Sequence, residues 1–439
     1  MHAPMAAGPL ALSIGLLSRR RCVLVLVGGF AVAVMSFHAR EGLEPVASRE
    51  WNGVVTLLSD PQDFPGRVLA DVDSDVGRLQ LTATGRWASI VRRTTVGRRM
   101  LVTGNLRELS HRDRLVYRHL RMALSLESAS VEDGSSFWRV PVDVVRSAIL
   151  RGATALPADQ RPVYAGFVVG DDRGSDGETV RSFENSGLSH LLVVSGENVV
   201  FVIALATPIA ERLGRRTRVA VLTLVLLFFA AVTRFEPSVL RATFMAVIAV
   251  VGAGSGRPVT ARRRLAVAVA ALIIVDPLLV ESFGFRLSVA ATAGITLLAP
   301  TIARWLRGPR WFQQVLSVTV AAQLAVAPLV VPVFGPLPLA SLPANVLAEP
   351  IAGFVMMWGS SVGIVAGALG GWPALILQVP VRAGVWWIMI VAKWCASLPL
   401  PRLTLPAIAV VALGAGLLLR LSRLANWQQP ERGSPVPDG

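Results

Sequence analysis

Charged residues are scarce in this sequence. Aspartate, glutamate, lysine and arginine make up 16% of the 439 residues, whereas a soluble domain typically carries about 25%. Hydrophobic residues account for 53%, and the mean hydropathy is +0.58. Several apolar runs reach the ~20 residues needed to cross a bilayer. This composition excludes an ordinary soluble protein and predicts a polytopic α-helical membrane protein.

Residues that bind metals and nucleotides are also few. The five histidines show no metal-ligand spacing, and no cysteine pair could hold zinc. Cys22 and Cys395 lie in or beside apolar runs at opposite ends of the chain, which favours small apolar side chains over a disulfide. A glycine-rich loop ending in Lys-Ser or Lys-Thr is absent, so ATP hydrolysis is not expected. No cofactor or metal is predicted.

Positive charge comes almost entirely from arginine, because Lys393 is the only lysine. The net charge of +15 is explained by short arginine-rich loops between apolar runs, at 212–218, 257–264 and 304–310. Such loops lie in the cytoplasm by the positive-inside rule, an interpretation that we prefer to nucleic-acid binding for these clusters. Counting membrane crossings backwards from these cytoplasmic loops then places residue 189 on the outer side of the membrane.

Residues 1–38 are predicted to form an N-terminal membrane helix. Three arginines at 19–21 precede an apolar run over 22–37, so the arginines stay in the cytoplasm and the following segment is outside. A cleaved signal peptide ending near His38 is the alternative.

Residues 39–138 are predicted to form a small extracytoplasmic β-barrel of the OB type. Five short alternating runs separated by turn residues indicate strands. Twelve arginines against ten acidic residues over 51–138 leave the domain nearly neutral, so its charge does not argue for DNA binding. Aromatic side chains that could stack on bases are few: Trp51, Trp87 and Tyr117.

Residues 139–188 are predicted to form an amphipathic helix followed by a polar loop. Apolar positions recur at helical spacing over Val140–Ala158, with Arg146 and Arg151 between them, which favours a helix lying at the membrane interface. The apolar run after Tyr164 is too short to span, so a surface or re-entrant element is expected before the polar loop that begins at Asp171.

Residues 189–422 are predicted to form the transmembrane channel domain. The apolar spans are 189–211, 219–233, 239–253, 264–280, 286–304, 313–333, 345–370, 377–397 and 405–420. With the first helix they give about ten spans and place both termini in the cytoplasm. The 345–370 run is long for one crossing, so a broken helix with a re-entrant part is an alternative. Residues 423–439 form a polar tail.

Polar side chains from four of these spans fall near the outer surface. They are His190, Ser195, Gly196, Glu197 and Asn198 in the first span, Arg241 and Arg286 at the start of two others, and Asn345 and Glu349 in a fourth. Polar groups at membrane depth are costly, so convergence on a hydrated vestibule is expected. The alternative for the two arginines is snorkelling to headgroups. Glu197 is predicted to pair with Arg241 or Arg286.

Ser195 near His190 is typical of nucleophilic hydrolases. However, five residues on one helix separate the two side chains by about 140°, so they cannot pair directly. A base from another helix would be required.

Four ordered segments resemble motifs of the ComEC-type competence family. They are Ser189–Val199 (SHLLVVSGENV), Phe235–Ala242 (FEPSVLRA), Asp276-Pro277 with Phe283–Ala291 (FGFRLSVAA), and Pro343–Pro350 (PANVLAEP). The resemblance implies a DNA-internalisation channel, not an enzyme, in the cytoplasmic membrane. It implies that single-stranded DNA passes through the bilayer. Because a polyanion needs a hydrated, positively lined path through hydrocarbon, Arg241 and Arg286 are expected to contact its backbone, while Ser195, Gly196 and Asn198 shape the path.

Many members of that family continue into a metallo-β-lactamase-like domain, which is not expected here because no histidine follows His190. The resemblance therefore implies a separate nuclease, together with an outer DNA receptor and a cytoplasmic ATP-driven motor, and it leaves a homo-oligomer open. Two alternatives remain: an intramembrane hydrolase using Ser195, and a small-solute transporter, which an inverted repeat would favour.

Overall fold

The computed structural model describes residues 32, 34–39, 43, 48–109, 118–132, 140–171, 173–192, 194–256, 258–404 and 406. The chain divides into two compact units. The first contains Met1–Pro141 and Val267–Arg286, and the second contains Val142–Ala266 and Leu287–Gly439. The predicted first membrane helix, the span at 405–420 and the polar tail lie almost wholly outside the described residues.

The first unit contains a six-stranded sheet. Its strands are β1 Arg49–Leu57, β2 Gln62–Phe64, β3 Arg67–Ser74, β4 Gly77–Thr84, β5 Arg99–Arg107 and β6 Leu120–Glu132. Helix α1, Gly85–Arg93, lies between β4 and β5. The five predicted strands are confirmed, and the three-residue β2 is an addition that was too short to show a period.

The sheet is mixed rather than a plain barrel. Its order is β1-β5-β6-β4-β3-β2, with a further pairing between β1 and β3. That further pairing covers two residue pairs, Thr56 with Asp73 and Leu57 with Val72. β4 and β6 run parallel, and the other pairs are antiparallel. Alternate residues such as Val55, Leu79 and Leu124 are fully buried in one apolar core, as the period of two requires.

Trp51 belongs to this core. Its side chain is 6% exposed, and a Cβ on Gly53 would lie 2.5 Å from its ring. The expectation that Trp51 could stack on bases is therefore wrong, because an aromatic ring that fills the core presents no free face. Tyr117 lies outside the described residues.

The connection between two later helices also belongs to the first unit. Asp276 caps a 3-10 turn, Pro277–Glu281, by accepting the N–H of Leu278 at 3.0 Å. Its other carboxylate oxygen lies 3.0 Å from Nε2 of His119, at the start of β6. Burial raises the pKa of Asp276, but the hydrogen bond and charge of His119 outweigh it, and the net pKa is lowered. This contact attaches residues 276–281 to the sheet.

Asp276→Asn should lower the thermal unfolding midpoint of the protein in nanodiscs at pH 7. Because the folded pKa of Asp276 lies below its unfolded value, its contribution is present above the ordinary pKa of about 4 and is lost as the pH falls through the folded pKa. The difference in midpoint between wild type and variant should therefore disappear in acid. A difference that persists in acid would contradict the contact.

Helices make up almost all of the chain from residue 140 to residue 397. They are α2 Val140–Ala153, α3 Gln160–Val169, α4 Gly177–Ser186, α5 Gly196–Ala210, α6 Arg215–Val232, α7 Pro237–Gly254, α8 Ala261–Val275, α9 Phe283–Ala303, α10 Arg310–Phe334, α11 Ser341–Gly359, α12 Val362–Leu369, α13 Gly371–Leu377 and α14 Val379–Ser397. Two short strands, β7 Leu337–Pro338 and β8 Arg402–Leu403, pair antiparallel.

Four helices in the described part of the chain are long and apolar enough to cross a membrane: α7, α9, α10 and α14. Helices α11 and α12 add a fifth if they form one span, bent by 49° at the break between them. The ten predicted spans are therefore not confirmed. Three helices at predicted spans fall outside this set: α5 has only 15 residues, and α6 and α8 have arginines in their first turns. Of the alternatives for 345–370, the structure shows a broken helix rather than one continuous helix.

Helix α3 is buried in the core of the second unit. Tyr164, Phe167 and Val168 are completely buried among residues of α2, α11 and α14. Glycines at 359 and 363 allow this close packing, since a Cβ at Gly359 would lie 3.0 Å from the Tyr164 ring. Of the two expectations for this segment, the surface element is wrong because α3 is buried in the core, and the re-entrant element stays a prediction.

Arg146 of α2 is also buried, with 4% of its surface exposed. It donates hydrogen bonds to the carbonyl oxygens of Val169 at 2.7 Å and Val232 at 3.1 Å. Its guanidinium lies 3.7 Å from Asp171, which also accepts two hydrogen bonds from Arg173 at 2.6 and 2.5 Å. Arg146 therefore lies in the core rather than on a polar face, and α2 ends at Ala153 rather than at Ala158. The location of α2 at the membrane interface stays a prediction.

Asp171→Asn should destabilise the second unit by about 3 kcal/mol, because it removes a buried carboxylate that lies 3.7 Å from the guanidinium of the buried Arg146. Burial raises the pKa of Asp171, but hydrogen bonds from Arg173 and the charge of Arg146 lower it further, so the net pKa is depressed. The stability that the ionised Asp171 contributes to the folded state is thus present above about pH 4 and lost in acid.

The matched control is Asp143→Asn, which removes a more exposed ion pair to Arg234 at 3.2 Å. That change should cost under about 1 kcal/mol. Denaturant titration in mixed micelles gives the free energy of unfolding of both variants. Equal losses of stability would contradict the stabilising role of Asp171 beside the buried Arg146.

Candidate functional site

Helix α5 begins at Gly196, seven residues later than the predicted start at 189. Ser195 is extended and caps the helix, and its hydroxyl accepts the N–H of Glu197 at 3.2 Å. Residues Ser189–Leu191 form a 3-10 turn instead. As an N-cap residue, Ser195 adopts an extended backbone while its side chain satisfies a free N–H of the first turn. The helix therefore begins after Ser195, which explains the later start.

His190 lies in that 3-10 turn with its side chain exposed. It is therefore not part of the helix that carries Glu197 and Asn198, contrary to expectation. The Ser195 hydroxyl is engaged as a helix cap, so neither residue has the arrangement of a nucleophile with its base.

Gly196 lies directly against Arg241 in the second turn of α7. A Cβ on Gly196 would be 2.7 Å from Nη2 of Arg241 and 2.9 Å from the Cβ of Ala242. Ser238, one turn earlier in α7, donates to the carbonyl oxygen of Val194 at 3.0 Å. Only glycine permits this approach between the start of α5 and the start of α7.

Arg241 is 7% exposed. Its Nε donates to the hydroxyl of Ser288 on α9 at 2.8 Å, and its Nη1 lies 3.3 Å from the sulfur of Met245. Within the described residues no carboxylate pairs with this guanidinium. A helix N-terminus carries a partial positive charge, so α5 adds to the positive potential beside Arg241. Such an arrangement favours an anion, and a guanidinium binds phosphate particularly well.

Glu197 does not form the predicted ion pair with Arg241. Its carboxylate has no basic partner among the residues that the structure describes, and it is close enough to Glu349 of α11 for the two charges to repel each other. One turn further along both helices, the ring of Phe201 lies against Gly353, 2.7 Å from where a Cβ would be. The two carboxylates therefore lie at the α5–α11 contact, one turn before Phe201 and Gly353.

The two predicted asparagines are buried and hold backbone groups. Nδ2 of Asn198 donates to the carbonyl oxygen of Phe167 at 2.7 Å, which attaches α5 to α3. Nδ2 of Asn345 donates to the carbonyl oxygen of Ser341, also at 2.7 Å. Helix α11 begins at Ser341, so Asn345 lies one turn inside it rather than at its start.

Arg286 belongs to the first unit, in the first turn of α9. Its guanidinium lies over the ring of Phe283 at 5.7 Å and donates to the carbonyl oxygen of Glu281 at 3.3 Å. Its assignment to the DNA path stays a prediction.

Sequence reasoning missed Ser238 and Ser288. Ser238 lies in the segment Phe235–Ala242, three residues before Arg241, and Ser288 lies in the segment Phe283–Ala291, two residues after Arg286. Their proximity to these arginines is the signal that could have found them. Among the described residues, no three His, Cys, Asp or Glu side chains are grouped to hold a metal ion.

The fold and this site define a helical membrane protein with a separate mixed-sheet domain. The family model described as competence protein matches residues 167–429, which include all four motif segments. The chain therefore belongs to the ComEC-type competence family, as the resemblance implied.

A curated relative is ComE operon protein 3 of Bacillus subtilis (strain 168), which is 27% identical over 211 residues. The alignment covers 48% of this chain and 27% of that protein, so the chain aligns with about a quarter of its relative. No solved structure matches the chain.

Gly196→Ala should destabilise the second unit by about 1–3 kcal/mol, because the added methyl group overlaps Arg241 and Ala242. Gly214→Ala is the matched control, since a Cβ at Gly214 meets nothing within 4 Å. Unfolding in mixed micelles measures both, and equal stability of the two variants would contradict the close approach.

Proposed function

We propose that this chain is the channel through which single-stranded DNA crosses the cytoplasmic membrane during natural transformation. The family membership supports a role in DNA uptake. The observation that carries the channel proposal is the buried Arg241, which has no acidic partner among the described residues and lies against the first residue of α5.

The physical reason is electrostatic. A DNA strand carries a negative charge on every phosphate, so a path through hydrocarbon must supply fixed positive potential and polar groups. Arg241 and the N-terminus of α5 would supply both to a passing phosphate, with Ser195 and Gly196 shaping the path. Glu197 and Glu349 repel phosphate, and in this proposal they keep the backbone on the Arg241 side.

The proposal includes an extracytoplasmic, OB-like sheet domain. The β1–β3 pairing joins β1, β3, β4, β6 and β5 into a closed order, and α1 follows β4. These features support an OB-like interpretation. The arginine-rich loops support placing this domain outside and both termini in the cytoplasm, with about ten spans in all.

The chain is proposed to act without catalysis, since the Ser195 hydroxyl caps α5. Degradation of the non-entering strand then falls to a separate nuclease. An outer DNA receptor delivers the duplex, and a cytoplasmic ATP-driven motor moves the strand.

Arg241→Ala should reduce labelled DNA in the nuclease-protected cytoplasmic pool by at least about tenfold, at matched membrane abundance. Arg241→Lys keeps the charge but loses the planar guanidinium, so we expect partial uptake. DNA bound at the cell surface should be unchanged in both variants.

Arg382→Ala is the control, because Arg382 is an exposed arginine on α14 that the proposal does not place on the path. A deletion strain sets the baseline. Normal uptake in the deletion, in cells shown to be competent, would refute the channel, and it would favour a small-solute transporter.

A further inference from the structure

The sheet domain carries an exposed patch in which arginines lie over aromatic rings. The guanidinium of Arg67 lies 5.9 Å from the centre of the Phe64 ring, and that of Arg86 lies 4.3 Å from the centre of the Trp87 ring. The Phe64 side chain is 44% exposed and both arginines are exposed, whereas Trp87 is half-buried and packs against the sheet core. We call these four residues the arginine–aromatic patch.

The strand register brings the two pairs together. Phe64 is the Cα partner of Arg67 in the β2–β3 hairpin, and Arg67 is the partner of Thr84 at the end of β4. Arg86 and Trp87 follow Thr84 after one glycine. Paired Cα atoms lie about 5 Å apart and consecutive ones 3.8 Å, so the backbones of the two pairs lie within about 15 Å of each other.

The charge of the patch is positive and available. Neither Arg67 nor Arg86 forms an ion pair among the residues that the structure describes. The adjacent Asp63 is neutralised by Arg92 of α1, with Nη2 2.7 Å from the carboxylate. The patch therefore has two cations without a competing carboxylate, although the domain as a whole is nearly neutral.

The combination of rings and guanidinium groups identifies the partner. Single-stranded nucleic acid is held by cations along its backbone and by flat groups on which bases stack, and guanidinium planes also stack on bases. Duplex DNA keeps its bases paired and stacked, so it could use the cations but not the rings. An exposed phenylalanine beside arginines is also compatible with lipid headgroups. Among the described residues, however, Phe64 is the one exposed large hydrophobic side chain between Val54 and Leu101, so a wider apolar face at the patch is not observed, which favours the nucleic acid.

We propose that the arginine–aromatic patch of Phe64, Arg67, Arg86 and Trp87 binds single-stranded DNA outside the membrane, before the strand enters the channel. This inference rests on the proposed function and adds to it a binding surface in the sheet domain. The patch would hold the strand by one or two bases and their phosphates.

The test measures binding of fluorescein-labelled oligo(dT) to the full chain in nanodiscs of phosphatidylethanolamine and phosphatidylglycerol. Arg67→Ala/Arg86→Ala should weaken binding at least tenfold at low salt. It should also reduce the slope of log affinity against log salt by about 1.4, since each phosphate contact on a single strand contributes about 0.7. Phe64→Ala should weaken binding about fivefold or more through lost stacking, with little effect on the salt slope.

The matched control is Arg49→Ala/Arg107→Ala. These arginines are exposed on β1 and β5 of the same sheet. β1 and β3 run antiparallel and pair at Thr56 and Asp73. From that pairing, Arg49 on β1 and Arg67 on β3 lie in opposite directions along the strands, so the control site and the patch are at opposite ends. The control removes the same charge and should weaken binding less than twofold.

Three results would overturn the proposal: an unchanged affinity in the patch variants, an equal loss in the control, or an equal loss for blunt duplex DNA. The first result, combined with altered binding to anionic vesicles, would assign the patch to lipid. Arg241→Ala separates this proposal from the channel, because it should reduce import at least about tenfold and leave oligo(dT) affinity at the patch intact. Failure of import alone, or of patch binding alone, would therefore identify which proposal is wrong.

Discussion

The second unit depends on satisfying the buried end of one short helix. The last carbonyl groups of a helix have no partner inside it, and leaving such a group buried and unpaired costs about 1–3 kcal/mol. Helix α3 ends inside the core. Its Phe167 carbonyl accepts from Asn198 and its Val169 carbonyl accepts from Arg146. These two bonds attach α5 and α2 to the same point, and Arg146 also reaches the Val232 carbonyl at the end of α6.

The candidate site follows from this attachment. Asn198 holds the first turn of α5 in place, and Ser195 caps it, so Gly196 is presented to α7 with little freedom to move. The absence of a side chain at Gly196 then brings the helix end against Arg241. A buried guanidinium beside a helix N-terminus is electrostatically unfavourable by itself, and a passing anion would relieve that cost. The same polar residues thus serve packing and the proposed path, as is usual for ionisable groups in membranes.

Much of the fold could be predicted from the sequence because its periods are strong. The alternation of Val68, Ala70 and Val72 marks β3, and β4 and β5 follow the same rule. The helix boundaries follow less directly from the sequence than the strands do. Ser195 looks like one more residue of an apolar helix, and only the capping hydrogen bond shows that α5 begins after it. Arg146 looks like a polar-face residue because its spacing in α2 does not reveal that two buried carbonyl groups lie opposite it.

The sequence by itself determined the membrane class, the strands and the family, and it marked Gly196 and Arg241 as candidate site residues, because composition, periodicity and motif segments are local properties. Tertiary structure alone decided which groups meet. It gave Arg241 the hydroxyl of Ser288 rather than the carboxylate of Glu197, and it placed Glu197 close to Glu349. It also assembled Phe64, Arg67, Arg86 and Trp87 from a hairpin and a helix start. Such contacts depend on helix packing and strand register between distant segments, and no pattern in a single sequence records them.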